Sequence, residues 1–249
     1  MTLPDVFLAR PIAHRALHGP GRPENSRSAI AAAIAAGYGI ELDLQLSADG
    51  VAMVFHDYRL DRLTDDTGPV RLRNAQELAA IPLTGAEEGI PTLAQVLEQV
   101  AGQVPLLIEF KDQDGALGPN IGVLEEAAAS VLDGYAGDVA LMSFNPHAVS
   151  HLGRLMPDRP RGLTTSSFAP ENWPTIPRPR LAELRDYARH YDEVGASFVS
   201  HEAADLANPA LAALVERDAT ILCWTIRSPE EEATARQYAQ NITFEGYAA

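Results

Sequence analysis

Short apolar, β-rich runs alternate with helical stretches along the whole chain, and this alternation restricts the fold more than any other feature. It specifies a parallel α/β architecture, in which each helix carries the chain back to start a new strand beside the last. The runs that read as strands are Pro11–Arg15, Ile40–Leu46, Val51–His56, Leu106–Lys111, Val139–Phe144, Arg161–Thr165, Ser197–His201, Ile221–Ile226 and Asn241–Glu245. Two of them, Ile40–Leu46 and Val51–His56, are separated only by Ser47-Ala48-Asp49-Gly50. A parallel crossover needs about a dozen residues or more, so this pair must be an antiparallel hairpin, folded back over the mouth of the sheet. Eight parallel strands then remain, the number that closes a (β/α)8 TIM barrel with a β-hairpin and a small insertion after its second strand. A length of 249 residues suits one such domain spanning residues 1–249, and neither an internal repeat nor a second domain is visible.

Helix signals fall between the strands. Asn25 or Ser26 can cap a run ended by Gly37, and Thr92 can cap Leu93–Val100. Leu181–Tyr191, Pro209–Arg217 and Pro229–Tyr238 read as three further helices. Asp112–Gly122 reads as a loop, and Thr164–Pro179, rich in proline and serine, as a long irregular loop and candidate lid.

In such a barrel the chemistry lies at the C-terminal ends of the strands. Glu41 and Asp43 are two residues apart on one strand, so both face the axis while Ile40, Leu42 and Leu44 face the helices. Glu109 and Lys111 repeat the pattern. Three carboxylates converging on one mouth repel each other unless a cation lies between them, and an all-oxygen ligand set suits Mg²⁺ or Ca²⁺ better than zinc. The competing reading makes them salt-bridged core acids.

His14 and His56 end strands on the same mouth, and two imidazoles there can serve as general acid and base. His18, in the loop after the first strand, can reach the same site, and His201 is a weaker candidate; His147, His151 and His190 read as surface residues. Lys111 is the sole lysine beside 18 arginines, which suggests that arginine would not serve in its place. A compact ammonium can meet carboxylates and a phosphate where a planar guanidinium does not fit. Arg15 can fork onto phosphate oxygens. An anion-binding island is needed because the net charge of −15 disfavours nucleic acid and anionic membranes as partners.

Together these residues resemble the glycerophosphodiester phosphodiesterase family. The matching elements are His14-Arg15, Pro23-Glu24-Asn25-Ser26, Glu41-Leu42-Asp43, Asp49-Gly50, His56-Asp57, Ile90-Pro91-Thr92-Leu93, Glu109-Phe110-Lys111, Ser143-Phe144 and Trp224-Thr225. The resemblance implies a (β/α)8 barrel with Glu41, Asp43 and Glu109 holding a divalent metal and His14 and His56 as the acid–base pair. It implies that Arg15, Lys111, Glu24, Asn25 and Trp224 bind substrate. It implies hydrolysis of small glycerophosphodiesters to glycerol phosphate and an alcohol. Two departures stand out: Ala16 replaces the family's glycine after His-Arg, and Thr243-Phe244-Glu245-Gly246 replaces its Thr-Asp-x-Pro closing motif. Two other functions compete, a lysophospholipase D-like activity using Phe144, Phe168, Trp173 and Trp224 as an apolar groove, and a non-catalytic phosphate-binding barrel.

Cys223, the single cysteine, sits in a buried-strand context and excludes an intramolecular disulfide. No secretory leader is read in Met1–Arg15 and no run reaches the ~20 apolar residues of a membrane span, so a cytoplasmic protein is expected. A homo-oligomer is compatible with the sequence but not specified by it.

Overall fold

A computed structural model describes residues 2–249; Met1, the first residue of the segment read as carrying no leader, lies outside them. In chain order the elements are β1 (Ile12–Ala13), α1 (Arg27–Ala36), β2 (Gly39–Leu46), β3 (Ala52–Val54), α2 (Ala75–Ala80), α3 (Leu93–Val100), β4 (Leu106–Phe110), α4 (Val123–Leu132), β5 (Val139–Ser143), α5 (Pro146–Leu155), β6 (Arg161–Thr165), α6 (Arg178–Leu184), α7 (Tyr187–Val194), β7 (Phe198–Glu202), α8 (Pro209–Val215), β8 (Thr220–Ile226), α9 (Pro229–Ala235) and β9 (Asn241–Phe244). The parallel order β1-β2-β4-β5-β6-β7-β8-β9 closes on itself through β1–β9 pairing, giving an eight-stranded barrel. β3 alone runs antiparallel, pairing Val54 with Leu44 and Ala52 with Leu46. The four-residue turn therefore makes the hairpin that chain geometry required.

Strand periodicity divides the core into two shells. Ile40, Leu42, Leu44, Ile108 and Val199 face outward into a continuous layer with Ile30, Val96, Leu97, Leu124 and Leu152 of the helices. Inside the barrel, Leu107, Ala140, Met142, Phe198 and Leu222 fill the axis, and the N-terminal segment plugs the lower end with Leu3 and Phe7. Asn241 fastens that plug by donating from Nδ2 to the Phe7 and Arg10 carbonyls at 2.7 Å each. Gly162 is required by this packing, since a Cβ there would lie 2.5 Å from the Phe198 ring.

Ser26 caps α1 by accepting from Ala29 N, and Thr92 forms a capping box with Gln95 at the start of α3. Where a single helix is expected over Leu181–Tyr191, the structure has two. Asp186 adopts a non-helical conformation and caps α7, while Arg185 turns aside to donate to the Ser167 and Phe168 carbonyls. Those bonds, with Tyr187 donating to Ser166 O at 2.6 Å, pin the loop that the composition marks as a candidate lid. Phe168 is buried beneath it. His190 is also buried rather than on the surface, because it lies on the inner face of α7 and bonds to Glu183 O; His147 is exposed as expected. Among the described residues, no helix is long and apolar enough to cross a membrane.

Candidate active site

The upper end of the barrel holds a cavity of about 60 Å³ lined by His14, Arg15, Glu41, Asp43, His56, Glu109, Lys111, Met142, Phe144, Ser200, Trp224 and Thr243. A cavity of that size takes an ion and part of a phosphate group rather than a whole phosphodiester. Strand register brings the acids together. Asp43 and Glu109 are cross-strand partners on β2 and β4, and Glu41 lies one inward-facing step below Asp43. One oxygen of each carboxylate lies within 4.8 Å of the others.

Three negative charges in this enclosure face two positive ones. Lys111 Nζ donates to Asp43 Oδ1 at 2.7 Å and to Glu109 Oε1. Arg15 binds Glu24 at 2.8 Å and sits with Nε 3.7 Å from Asp43 Oδ2. Burial favours the neutral form of Asp43, but Lys111, His56 and Arg15 outweigh it and hold this carboxyl far below its usual range. At Glu41 the Arg15 N–H and Lys111 help the charged form less than they are opposed. Burial, joined by repulsion from Asp43 and Glu109, pushes it well above the usual carboxylate value. Its charged form is under-compensated, which is what an absent cation would relieve. The buried all-oxygen set therefore fits a hard divalent ion, with Glu41, Asp43 and Glu109 as the residues able to hold it. Arg15 Nε is buried without a hydrogen-bond partner, a donor left free on the cavity wall.

A strained turn aims these groups. Arg15 and Ala16 follow β1 with φ of 51° and 64°, the left-handed region where glycine is unstrained and alanine costs on the order of 1 kcal/mol. This turn ends the strand at Ala13 rather than Arg15 and directs the Arg15 backbone N–H onto Glu41 Oε2 at 2.8 Å. Glu24 and Asn25 do not line the cavity; they stand behind it. Glu24 anchors Arg15 and Arg62, and Asn25, itself at φ 58°, donates from Nδ2 to Asp43 Oδ2 at 2.9 Å.

Each cavity histidine is backed by a carboxylate. His14 Nδ1 donates to Glu245 Oε2 and His56 Nδ1 donates to Asp57 Oδ1, both at 2.6 Å. These bonds place a proton on Nδ1 of each ring and leave Nε2 to accept a proton when the ring is neutral or to donate one when it is charged. Burial keeps the His14 ring below its ordinary value of about 6.5, outweighing the opposing pull of Glu245. Glu245 was not among the residues expected here. Barrel closure sets β9 beside β1 with Phe244 opposite Ala13, so the next residues, Glu245 and His14, meet. His18 joins them, with Nε2 3.4 Å from Glu245 Oε2. His201 does not reach the cavity; it is buried between Thr165 and Asp205. Phe144, Phe168, Trp173 and Trp224 do cluster, with Phe144 making edge contacts to all three others, and Trp224 also lines a larger neighbouring pocket with Ala203, Leu206, Ile226 and Tyr238.

Comparison with known proteins places the chain. The sequence profile of the glycerophosphoryl diester phosphodiesterase family matches residues 14–241. A glycerophosphodiester phosphodiesterase of Caldanaerobacter subterraneus subsp. tengcongensis is 33% identical over 172 residues, covering 65% of this chain and 69% of that protein. The structure of an Oleispira antarctica phosphodiesterase in complex with the product sn-glycerol-3-phosphate superposes with a TM-score of 0.80 at 23% identity, over 96% of this chain and 93% of that one. A glycerophosphodiester phosphodiesterase from Parabacteroides distasonis gives 0.73 at 22% identity, over 94% and 91%. At these identities the two structures speak to the fold, and they share the barrel.

An acid-lined (β/α)8 barrel with this sequence profile is a phosphoric diester hydrolase. The chain belongs to the glycerophosphoryl diester phosphodiesterase family. Membership removes the non-catalytic phosphate-binding barrel from consideration.

Proposed function

We propose that this enzyme hydrolyses small glycerophosphodiesters to glycerol phosphate and an alcohol, using His14 and His56 as its acid–base pair. The observation that carries the proposal is the pair of carboxylate-backed imidazoles lining one acid-walled cavity. The product complex of the Oleispira antarctica relative supports a glycerol phosphate-sized ligand.

Arg15 and Lys111 orient the phosphate from two sides, the first through its free Nε and the second through its ammonium. Glu41, Asp43 and Glu109 would hold Mg²⁺ or Ca²⁺, which when bound supplies Lewis-acid stabilisation of charge developing on the phosphate. His14, kept neutral by burial, accepts the proton of the attacking hydroxyl at Nε2, and Glu245 stabilises the imidazolium that forms. His56 delivers a proton to the departing alkoxide, and Asp57 holds its ring in place. Family precedent allows the attacking hydroxyl to be the neighbouring one on glycerol, through a cyclic phosphate that water later opens. Phe144 and Trp224 are the aromatic groups of the cavity wall that the alcohol would meet. The continuous sheet from Ile12 to Phe244 supports treating the chain as one domain.

The test is hydrolysis of glycerophosphocholine against a lysophospholipid by wild type, His14→Ala and His56→Ala with Mg²⁺ present. Wild type should prefer the small diester, since the cavity that holds both histidines and the three acids is small. Each alanine variant should lose roughly 10²–10⁴-fold in kcat. Near-normal kcat in either folded variant removes that histidine from the mechanism, and preference for the lysolipid favours the lysophospholipase D reading.

A further inference from the structure

We propose that His14, His18 and Glu245 form a second metal site, selective for Zn²⁺ and similar transition metals, whose occupation shuts the enzyme off. The three ligand atoms, one ring nitrogen from each histidine and a carboxylate oxygen, lie within 4.8 Å of one another. Glu245 Oε2 is the shared centre, 2.6 Å from His14 Nδ1 and 3.4 Å from His18 Nε2. A tetrahedral zinc with bonds of about 2.0–2.1 Å needs ligand atoms about 3.3 Å apart. The His18–Glu245 spacing already meets this, and the His14–Glu245 spacing must open by about 0.7 Å.

Three features point to a ligand at this place. The buried His18 Nε2 has only a long approach, 3.4 Å to Glu245 Oε2, although its loop is tied down by His18 N donating to Ala16 O at 2.9 Å. His14 and Glu245 are fixed by strand pairing on both sides of β9, with His14 N donating to Phe244 O across β1–β9 and Glu245 N donating to Ile226 O across β8–β9. The other Glu245 oxygen is occupied by Arg227 Nε at 2.8 Å, so the carboxylate offers one oxygen in one direction. Donor chemistry separates this site from the acid triad. Two imidazoles and a carboxylate suit zinc, nickel or copper, whereas three carboxylates suit Mg²⁺ or Ca²⁺.

The consequence for turnover rests on the role proposed above for His14. A metal on Nδ1 displaces the ring proton, which moves to Nε2 with no net proton gained or lost. Nε2 then donates and no longer accepts, so His14 cannot take the hydroxyl proton.

The experiment is calorimetric titration of wild type, His18→Ala and His18→Gln with ZnCl₂ under saturating MgCl₂, with glycerophosphocholine turnover followed at each zinc concentration. Wild type should bind one Zn²⁺ per chain and lose turnover in step. Both His18 variants should bind it at least roughly tenfold more weakly and, as zinc is added, keep the turnover each shows without it. Removing His18 costs the fold no short side-chain hydrogen bond, so both variants should fold, which thermal melting checks. Wild-type zinc affinity in the two variants overturns the site. His18-dependent zinc binding with undiminished turnover supports the site and instead removes His14 as the proton acceptor.

Discussion

At the residue scale the site is a problem of packing charge into a small volume, and Lys111 shows how narrowly it is solved. Its ammonium is shared between Asp43 and Glu109 inside the cavity wall, and the lone lysine among 18 arginines had already marked it in the sequence. A guanidinium is larger and planar and cannot occupy that position without displacing one of the acids. Lys111→Arg should therefore lower kcat/KM on glycerophosphocholine by roughly 10²-fold, the scale of losing one positioned charge donor, while the melting temperature stays near wild type. Wild-type kcat/KM in that variant makes the lysine incidental. His14 supplies a pH test. Its folded value lies below the ordinary 6.5, so the neutral ring persists as pH falls through that value. The acid limb of kcat/KM should accordingly fall below pH 6.5, and the stability that His14 contributes should be present above 6.5 and lost as pH drops through its lowered value. An acid limb above 6.5 would contradict a buried neutral base.

At the element scale the strands were legible and the helices only partly so. Period-two patterning located every strand, and the Ser47–Gly50 turn left no alternative to the antiparallel β3. The break between α6 and α7 was not legible, because both Leu184 and Tyr187 are buried and continue one apolar stripe across it. The break comes from long-range partners of Arg185, which a local pattern does not contain. α2, α4 and α5 were not read from the sequence at all, although α2 opens on an Asn74–Glu77 capping box and α5 on Asn145 before Pro146. Asp186 is a local determinant of the break, so Asp186→Ala should cost about 1 kcal/mol in urea unfolding, the usual value of an N-cap. No change would mean that Arg185 and the pinned loop define the break unaided.

At the scale of the whole molecule, function depends on closure of the barrel. Glu41, Asp43, Glu109 and both histidines were identifiable because each ends or lines a strand near its own motif. Glu245 was not, because its partner His14 is 231 residues away and only the β1–β9 pairing brings them together. The same closure forces three carboxylates into one enclosure, and at Glu41 burial and repulsion outweigh the compensation from the Arg15 N–H and Lys111. A divalent ion should thus stabilise the fold as well as support turnover. At about 100 times its dissociation constant it should add about 2.7 kcal/mol, visible as a higher melting temperature with Mg²⁺ than after chelation. Glu41→Gln should remove most of that increment while melting no lower than the metal-free wild type.

The most direct test of a metal-dependent two-histidine phosphodiesterase is the steady-state turnover of glycerophosphocholine by protein stripped with chelator and then supplied with Mg²⁺ or Ca²⁺. The account predicts that the stripped enzyme loses turnover and that one of these ions restores it in wild type but not in His14→Ala. Full turnover by the stripped enzyme, or restoration in His14→Ala, would contradict it.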